Sequence, residues 1–244
     1  MNDHSRNLSA PSKVTEFLAS PTKALWKLSL PILGGMLIHT LYSLVDMLFV
    51  GWIGPEDVAA LSFNVPLVFL AYGLTMGLST GVTAVIAQAI GARDKERADN
   101  AAEHAVFLGL MIGISLSLAG LAWGRQMLGV LGAAGDVQEL GWAYFRVMCW
   151  GLIFSVMASF FRGILAGEGD TMRPMMILGS GMILNIILDP VFIFGLDLGV
   201  VGAAVATVTS QMLVFLIFVY MIFRQRRTYV AFKLRHFRFQ LGIL

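Results

Sequence analysis

The chain has 244 residues, of which 57% are hydrophobic and only 13% are charged, and its mean hydropathy is +0.78. A water-soluble domain needs far more polar residues to cover its surface, so this composition excludes an ordinary soluble protein. The formal net charge of +2 is small, and the positions of the charges say more than their sum.

Six apolar stretches follow one another along the chain, and each is long enough to cross about 30 Å of hydrocarbon at about 1.5 Å per residue. They lie at about residues 25–50, 58–88, 101–123, 140–162, 175–194 and 200–223. A helix satisfies its own backbone hydrogen bonds in lipid, and a chain with open edges does not. The sequence therefore predicts an all-α integral membrane bundle of six transmembrane helices over residues 24–223. Residues 1–23 form an N-terminal segment, and residues 224–244 form a basic tail.

The basic residues divide unequally between the two sides of this predicted bundle. If the N-terminus is inside, 15 of the 17 Lys and Arg residues fall on the inner side, and only Arg125 and Arg146 fall outside. Basic loops favour the cytoplasm, so both termini are predicted to be cytoplasmic and the protein to be a multi-pass protein of the inner (plasma) membrane. The basic and aromatic tail is expected to lie on anionic lipid headgroups, and no nucleic-acid partner is expected.

Polar residues inside the apolar stretches are the candidates for function, because a charged side chain at mid-membrane costs about 3 kcal/mol or more. They fall in pairs spaced four apart, and each pair shares one helix face. The pairs are Tyr42 and Asp46, Asn185 and Asp189, and Thr207 and Gln211. In contrast, the glycine pairs Gly77/Gly81, Gly109/Gly113 and Gly163/Gly167 are expected to let neighbouring helices approach closely.

The depth of three of these residues predicts a shared site. With the N-terminus inside, Asp46, Asp189 and Thr207 all lie roughly 8–10 Å below the outer boundary, at about 1.5 Å per residue. A polar pocket between spans one, five and six is the expected result. The alternatives are that Asp189 only ends a helix before Pro190, that Asp46 reaches outward to the interface, and that Thr207 only bonds to its own helix.

Enzyme motifs do not fit this bundle. "GLSTG" at 77–81 matches the G-x-S-x-G pattern, but that motif needs a strand-to-helix turn and here lies in an apolar helix. His39 has no partner of ligand-like spacing, and the sequence contains neither an H-E-x-x-H zinc motif nor a P-loop. We therefore expect no enzyme, no cofactor and no dedicated metal centre.

Three stretches together resemble the first half of a multidrug and toxic compound extrusion (MATE) transporter of the DinF-like branch. They are "LSLPILGGMLIHTLYSLVDMLFVGWIGPEDVAALSF", "FRGILAGEGDTMRPM" and "GSGMILNIILDPVFIFGLDLGVVGAAVAT". The resemblance implies that Asp46, Asn185 and Asp189 form the ion-coupling site, with Tyr42 and Thr207 in the lobe cavity and Pro31 in a helix that bends. Gln211 joins the expected cavity through its spacing from Thr207.

The resemblance also implies the function and a missing half. Members have two lobes of six helices, so this chain is predicted to be the N-terminal lobe only, with 224–244 at the start of the linker between lobes. The implied function is secondary active multidrug efflux, in which H⁺ or Na⁺ is exchanged for lipophilic or cationic compounds. Na⁺ would use the oxygens of Asp46, Asn185 and Asp189. A second lobe or another copy is then needed for transport. A lipid-linked oligosaccharide flippase of the same superfamily and a non-transporting membrane subunit remain as alternatives.

Overall fold

The chain folds into a bundle of long helices in the computed structural model, which describes residues 21–224 and 228–230. The helices are α1 Pro21–Gly51, α2 Pro55–Gly91, α3 Lys95–Val130, α4 Gly135–Gly167, α5 Met172–Pro190 and α6 Gly199–Val219. Two of them continue into one π-helical turn each, α5 into Val191–Gly195 and α6 into Tyr220–Arg224. The described ranges contain no strand, which confirms the all-α prediction.

Five helices, α2 to α6, are both long and apolar enough to cross a membrane. The first helix, α1, has 31 residues and is long enough by length alone. Helices α2, α3 and α4 extend beyond the predicted apolar stretches, because a helix can continue through polar residues once it leaves the hydrocarbon. For example, α3 begins at Lys95, although its apolar stretch begins near residue 101.

Short turns join the helices and set their ends. Asp94 caps α3 by accepting a hydrogen bond from the backbone N–H of Arg97 at 3.0 Å. Pro55 is the first residue of α2. A backbone N–H at this position has no acceptor within the helix, so proline costs no hydrogen bond here. These short turns join consecutive helices, but only some consecutive pairs pack closely, among them α3 with α4 and α5 with α6.

Helix α4 is the centre of the bundle and packs against α2, α3 and α6, whereas α1 packs mainly against α5. Buried apolar residues form two clusters. One lies where α2, α4 and α6 end and α3 begins, and it includes Ile86, Ala98, Phe161 and Phe218. The second lies at the opposite end of the bundle and includes Val50, Tyr144, Ile193 and Val200.

Glycines let α4 approach its neighbours. A Cβ at Gly163 would lie 2.7 Å from the backbone oxygen of Ser79, and one at Gly167 would lie 2.9 Å from Ile86. Two of the three predicted glycine pairs therefore lie at helix contacts, since a Cβ at Gly109 or at Gly113 would also meet α4 within about 3 Å. The prediction for Gly77 and Gly81 was wrong.

The wrong prediction has a simple geometric cause. Added Cβ atoms at Gly77 and Gly81 meet nothing within 4 Å among the described residues, because both glycines lie on the exposed face of α2. A spacing of four shows that two glycines share a face, but it does not show which helix that face meets.

Candidate functional site

Three polar residues from two helices meet inside the bundle. Asp189 and Asn185 lie on α5 and are 0% and 2% exposed, and Thr207 on α6 is 8% exposed. With its amide turned to suit both neighbours, Asn185 donates to Asp189 Oδ2 at 3.0 Å and accepts from the backbone N–H of Thr207 at 3.0 Å. The Asn185 amide also lies 3.4 Å from the Thr207 hydroxyl. The amide thus links the carboxylate to the neighbouring helix.

The local backbone changes directly after Asp189. Pro190 has no N–H for the carbonyl one turn earlier, and the α-helix gives way to the π-helical turn Val191–Gly195 at this point. Gly202 of α6 packs against this turn, since a Cβ there would lie 2.6 Å from the carbonyl oxygen of Phe192. The helix does change at the Asp-Pro pair, but Asp189 is buried in the bundle and does not lie at an exposed helix end.

Asp46 of α1 and Tyr144 of α4 complete the polar group. Asp46 lies close enough to Asp189 for the two charges to interact, and both carboxylates lie within interaction range of the Tyr144 hydroxyl. Tyr144 is 8% exposed. Asp46 Oδ1 is buried and has no hydrogen-bond partner among the described residues. Four helices therefore contribute to one polar centre.

Sequence reasoning did not select Tyr144. A tyrosine in an apolar stretch is common, and Tyr144 has no polar neighbour four residues away on α4. The depth argument would have found it, because Tyr144 lies about four residues below the outer start of span four, near the level of Asp46 and Asp189.

Gln211 lies one helical turn beyond Thr207 on α6 and lines a groove whose lining contains neither carboxylate. This apolar groove lies between α2, α4 and α6 and is partly open to the surroundings. Tyr72, Thr75, Ser155 and Ser159 supply the other polar groups of its lining. Thr207 and Gln211 share a face of α6 as predicted, but Thr207 contacts Asn185 and Gln211 contributes to the groove.

Three predicted residues fall partly outside what is described. The side chains of Pro31, His39 and Tyr42 lie outside the described residues. The backbone at Pro31 is part of the continuous helix α1, so a bend at this position stays a prediction. Asn64, expected to be a packing residue, donates to the carbonyls of Ala60 and Gly141 at 2.8 and 3.1 Å.

The chemistry available to this centre is cation binding. Two carboxylates close together in an apolar bundle repel each other and lack water, so a shared cation relieves both effects. Such a pair can bind a proton as a unit, and the oxygens of Asp46, Asp189 and Thr207 also suit a hard cation. The described residues contain no group of three or more His, Cys, Asp or Glu side chains that could hold a metal ion.

Curated relatives of this chain include a multidrug export protein and a probable multidrug resistance protein. The chain is 31% identical over 209 residues to the multidrug export protein MepA of Staphylococcus aureus, a match that covers 83% of this chain and 46% of MepA. It is 31% identical over 192 residues to the probable multidrug resistance protein YoeA of Bacillus subtilis, covering 77% of this chain and 42% of YoeA. The chain therefore spans about half the length of the curated relatives it matches.

Solved structures give a similar picture. An outward-facing multidrug resistance MATE family transporter superposes with a TM-score of 0.88 at 41% identity, covering 91% of this chain and 49% of that structure. A crystal structure of MATE in the bent conformation matches with the same TM-score and identity, and half of it is covered. A third structure, from Pyrococcus furiosus, also matches at 0.88 and 41%, with 91% of this chain and 49% of that one covered. It is described as a MOP superfamily transporter whose reversed pocket polarity suggests a different function.

The family model named MatE matches residues 31–191. That range includes Asp46, Tyr144, Asn185 and Asp189, which form most of the polar centre. The match covers well over half of the chain, and the bundle superposes on one half of the solved transporters. This multi-pass membrane protein belongs to the MATE family of transporters.

Proposed function

We propose that this chain is one six-helix lobe of an ion-coupled multidrug efflux transporter of the plasma membrane. The observation that carries the proposal is the buried polar centre, in which Asn185 bonds both Asp189 and Thr207 while Asp46 lies close by. Buried carboxylates in a membrane bundle are expensive and normally serve transport. The similarity to the multidrug export protein MepA also supports a role in efflux.

Binding of a cation is the coupling step in this proposal. A proton or Na⁺ held by Asp46 and Asp189 removes the repulsion between them and favours the helix arrangement that keeps them together. Release of the cation favours an arrangement in which they separate. A cation can shift the equilibrium between two arrangements only by its difference in affinity for them. In this arrangement Asp46 Oδ1 is buried and has no partner among the described residues, so it is available to a cation.

The exported compound is proposed to bind the apolar groove that contains Gln211 and Tyr72. Apolar walls with a few polar groups suit lipophilic compounds. The groove and the carboxylate centre adjoin α4, since Phe145 and Met148 line the groove next to Tyr144 in the chain. A change in packing at the centre could therefore reach the groove through α4.

Transport is proposed to need a second lobe or a second copy of this chain, because relatives are about twice as long as the matched region. The proposed orientation has both termini in the cytoplasm. This follows from the unequal distribution of basic residues and the positive-inside rule.

The direct test is cation-dependent stability of the purified chain. A ligand that binds the folded state stabilises it by about 2.7 kcal/mol at a concentration 100 times its dissociation constant. We expect the melting temperature of the parent to rise with Na⁺ at pH 8 if Na⁺ is the coupling ion, or to rise on acidification without Na⁺ if it is the proton. Asp189→Asn should lose most of the response, because the amide keeps the volume and removes the charge.

Asp197→Asn is the matched control. Asp197 is exposed in the turn before α6 and has φ +53°, a conformation that asparagine tolerates. This control should respond like the parent. Choline replaces Na⁺ to hold the ionic strength constant. An Asp189→Asn protein with parental responses to both Na⁺ and pH would refute ion coupling at this site.

A flippase for lipid-linked oligosaccharides is the second candidate, and one observation favours it. Arg162 donates to Ser159 Oγ at 3.4 Å, and Ser159 lines the groove. An arginine beside a groove suits an anionic phosphate headgroup. Stabilisation by an isoprenoid phosphate that is lost in Arg162→Gln, with no cation response at Asp189, would favour the flippase.

A further inference from the structure

The chain returns to the bundle after its last helix. Thr228–Val230 follows the π-helical turn that ends α6, and the backbone N–H of Val230 donates to Glu168 Oε1 at 2.9 Å. Glu168 is the C-terminal cap of α4, and the Tyr229 backbone also hydrogen-bonds its carboxylate. A helix cap 62 residues earlier in the sequence thus holds Val230 in the segment that follows α6.

A second helix end contacts the same segment. The ammonium group of Lys95 lies 4.8 Å from the centre of the Tyr229 ring, within the range of a cation–π interaction. Lys95 is the first residue of α3 and also pairs with Asp99. The segment therefore touches the start of α3 and the end of α4, which lie on one side of the bundle.

The side chain of Val230 is buried in the bundle. It is 3% exposed and belongs to the same apolar cluster as Ala98, Ile164 and Phe218. Covering an apolar side chain this well favours the docked position of the segment. The segment is thus held by apolar burial, by backbone hydrogen bonds and by a cation–π contact.

We propose that Thr228–Val230 is a clasp, and that the surface formed by Glu168, Lys95 and the apolar cluster is its docking site. The clasp joins the ends of α3 and α4 to the chain that follows α6. Release of the clasp is then expected to loosen the ends of α3 and α4, which it contacts through Lys95 and Glu168. This role is separate from the ion and drug sites and does not depend on them.

The test measures access to position 230. A Val230→Cys protein keeps the backbone N–H that donates a hydrogen bond to Glu168. The native Cys149 is fully buried, so its reaction reports on whether the bundle is folded. The purified chain in detergent is reacted with a maleimide, and modification at 149 and 230 is measured separately by peptide mass spectrometry. We expect position 230 to react slowly in this protein. It should react at least tenfold faster once Glu168→Ala removes the acceptor.

Two further variants separate the clasp from general damage. Glu168→Gln keeps an acceptor oxygen, so the rate at 230 should change less than threefold. Glu96→Gln removes an exposed carboxylate from the same end of α3 and should change nothing. Rapid reaction of Val230→Cys alone, or equally slow reaction with Glu168→Ala, would overturn the proposal.

Reaction at Cys149 in the Glu168→Ala protein would mean that the bundle itself had opened. In that case Tyr229→Ala decides, because it removes the ring that lies near Lys95 and keeps both the backbone and Glu168. A threefold or greater increase at 230 with Cys149 protected supports the clasp, and an unchanged rate refutes it.

Discussion

Two carboxylates in this protein lie in different surroundings, Asp189 fully buried and Glu168 partly buried. Asp189 is held by the Asn185 amide within the bundle, whereas Glu168 lies at the end of α4 and accepts backbone N–H groups from the clasp. Burial raises the pKa of Glu168 above its ordinary value of 4.5, and Asp170 adds to this effect. The backbone amides of Val230 and Tyr229, and the charge of Lys95, lower the pKa but do not outweigh burial.

The raised pKa of Glu168 predicts a pH-dependent stability. The folded state binds a proton on the Glu168 carboxyl more tightly than the unfolded state does. The protonated carboxyl therefore adds to the free energy of unfolding below pH 4.5, and this stabilisation is lost as pH rises through the pKa of the folded state. Glu168→Gln imitates the protonated acid. Its melting temperature relative to the parent should therefore increase from pH 4 to neutral pH and then level off.

The measurement is thermal unfolding of both proteins in detergent across a pH series. A gain of about 2–4 °C would correspond to about 1 kcal/mol for a chain of this size. The exposed Glu96→Gln control should give a flat difference. A difference between Glu168→Gln and the parent that does not vary with pH would contradict the predicted direction.

At the scale of elements, close contact between α2 and α4 depends on a few glycines. Gly163 lies against Ser79, whose hydroxyl donates to the Ser159 carbonyl at 2.7 Å. Thr83 in turn donates to the Gly163 carbonyl at 3.0 Å. Hydroxyls and small residues together hold helices at short range in membranes.

Alanine substitutions at Gly163 and Gly77 should affect stability differently, although the sequence predicted the same packing role for both glycines. Gly163→Ala places a Cβ 2.7 Å from Ser79 and should destabilise by about 1–3 kcal/mol through overpacking. Gly77→Ala meets nothing within 4 Å and should be neutral or stabilising by up to about 1 kcal/mol, because alanine favours helix over glycine. Chemical denaturation in mixed micelles measures both. Equal effects at the two positions would mean that the α2–α4 contact is not as close as described.

At the scale of the whole molecule, the chain forms one bundle and matches about half of each solved transporter. Large apolar side chains such as Leu33, Leu41, Phe69 and Trp150 are exposed on its outer surface. Such a surface suits lipid or another helical bundle. One lobe carries the proposed ion site, but alternating access in this family of folds requires one bundle to move against another.

The chain alone is therefore expected not to export drugs as a monomer. Cells that produce it should accumulate a lipophilic cationic dye to the same level as cells with an empty vector. Dye fluorescence, with and without a protonophore, measures this, and membrane insertion is checked by fractionation. Gradient-dependent export that is abolished by Asp189→Asn would contradict the expectation and would indicate a pair of half-transporters.

Most of the architecture could be predicted from local pattern. The length of the apolar stretches predicted the membrane spans. The four-residue spacing of Asn185 and Asp189 predicted that they share a helix face, because residues four apart are neighbours on a helix. The depth argument also anticipated that Asp46, Asp189 and Thr207 would lie near one another. The functional roles of these residues stay predictions.

The residue pattern was thus sufficient to predict the membrane class, the helices and the polar residues that share a face. Which face meets which helix depends on packing in three dimensions. The packing brings Tyr144 to the carboxylates, places Gln211 in the groove, leaves Gly77 and Gly81 exposed, and places Val230 on Glu168. These contacts depend on how each helix is rotated and which neighbours it packs against. Rotation and packing are set by many weak contacts across the whole bundle and by no single local pattern.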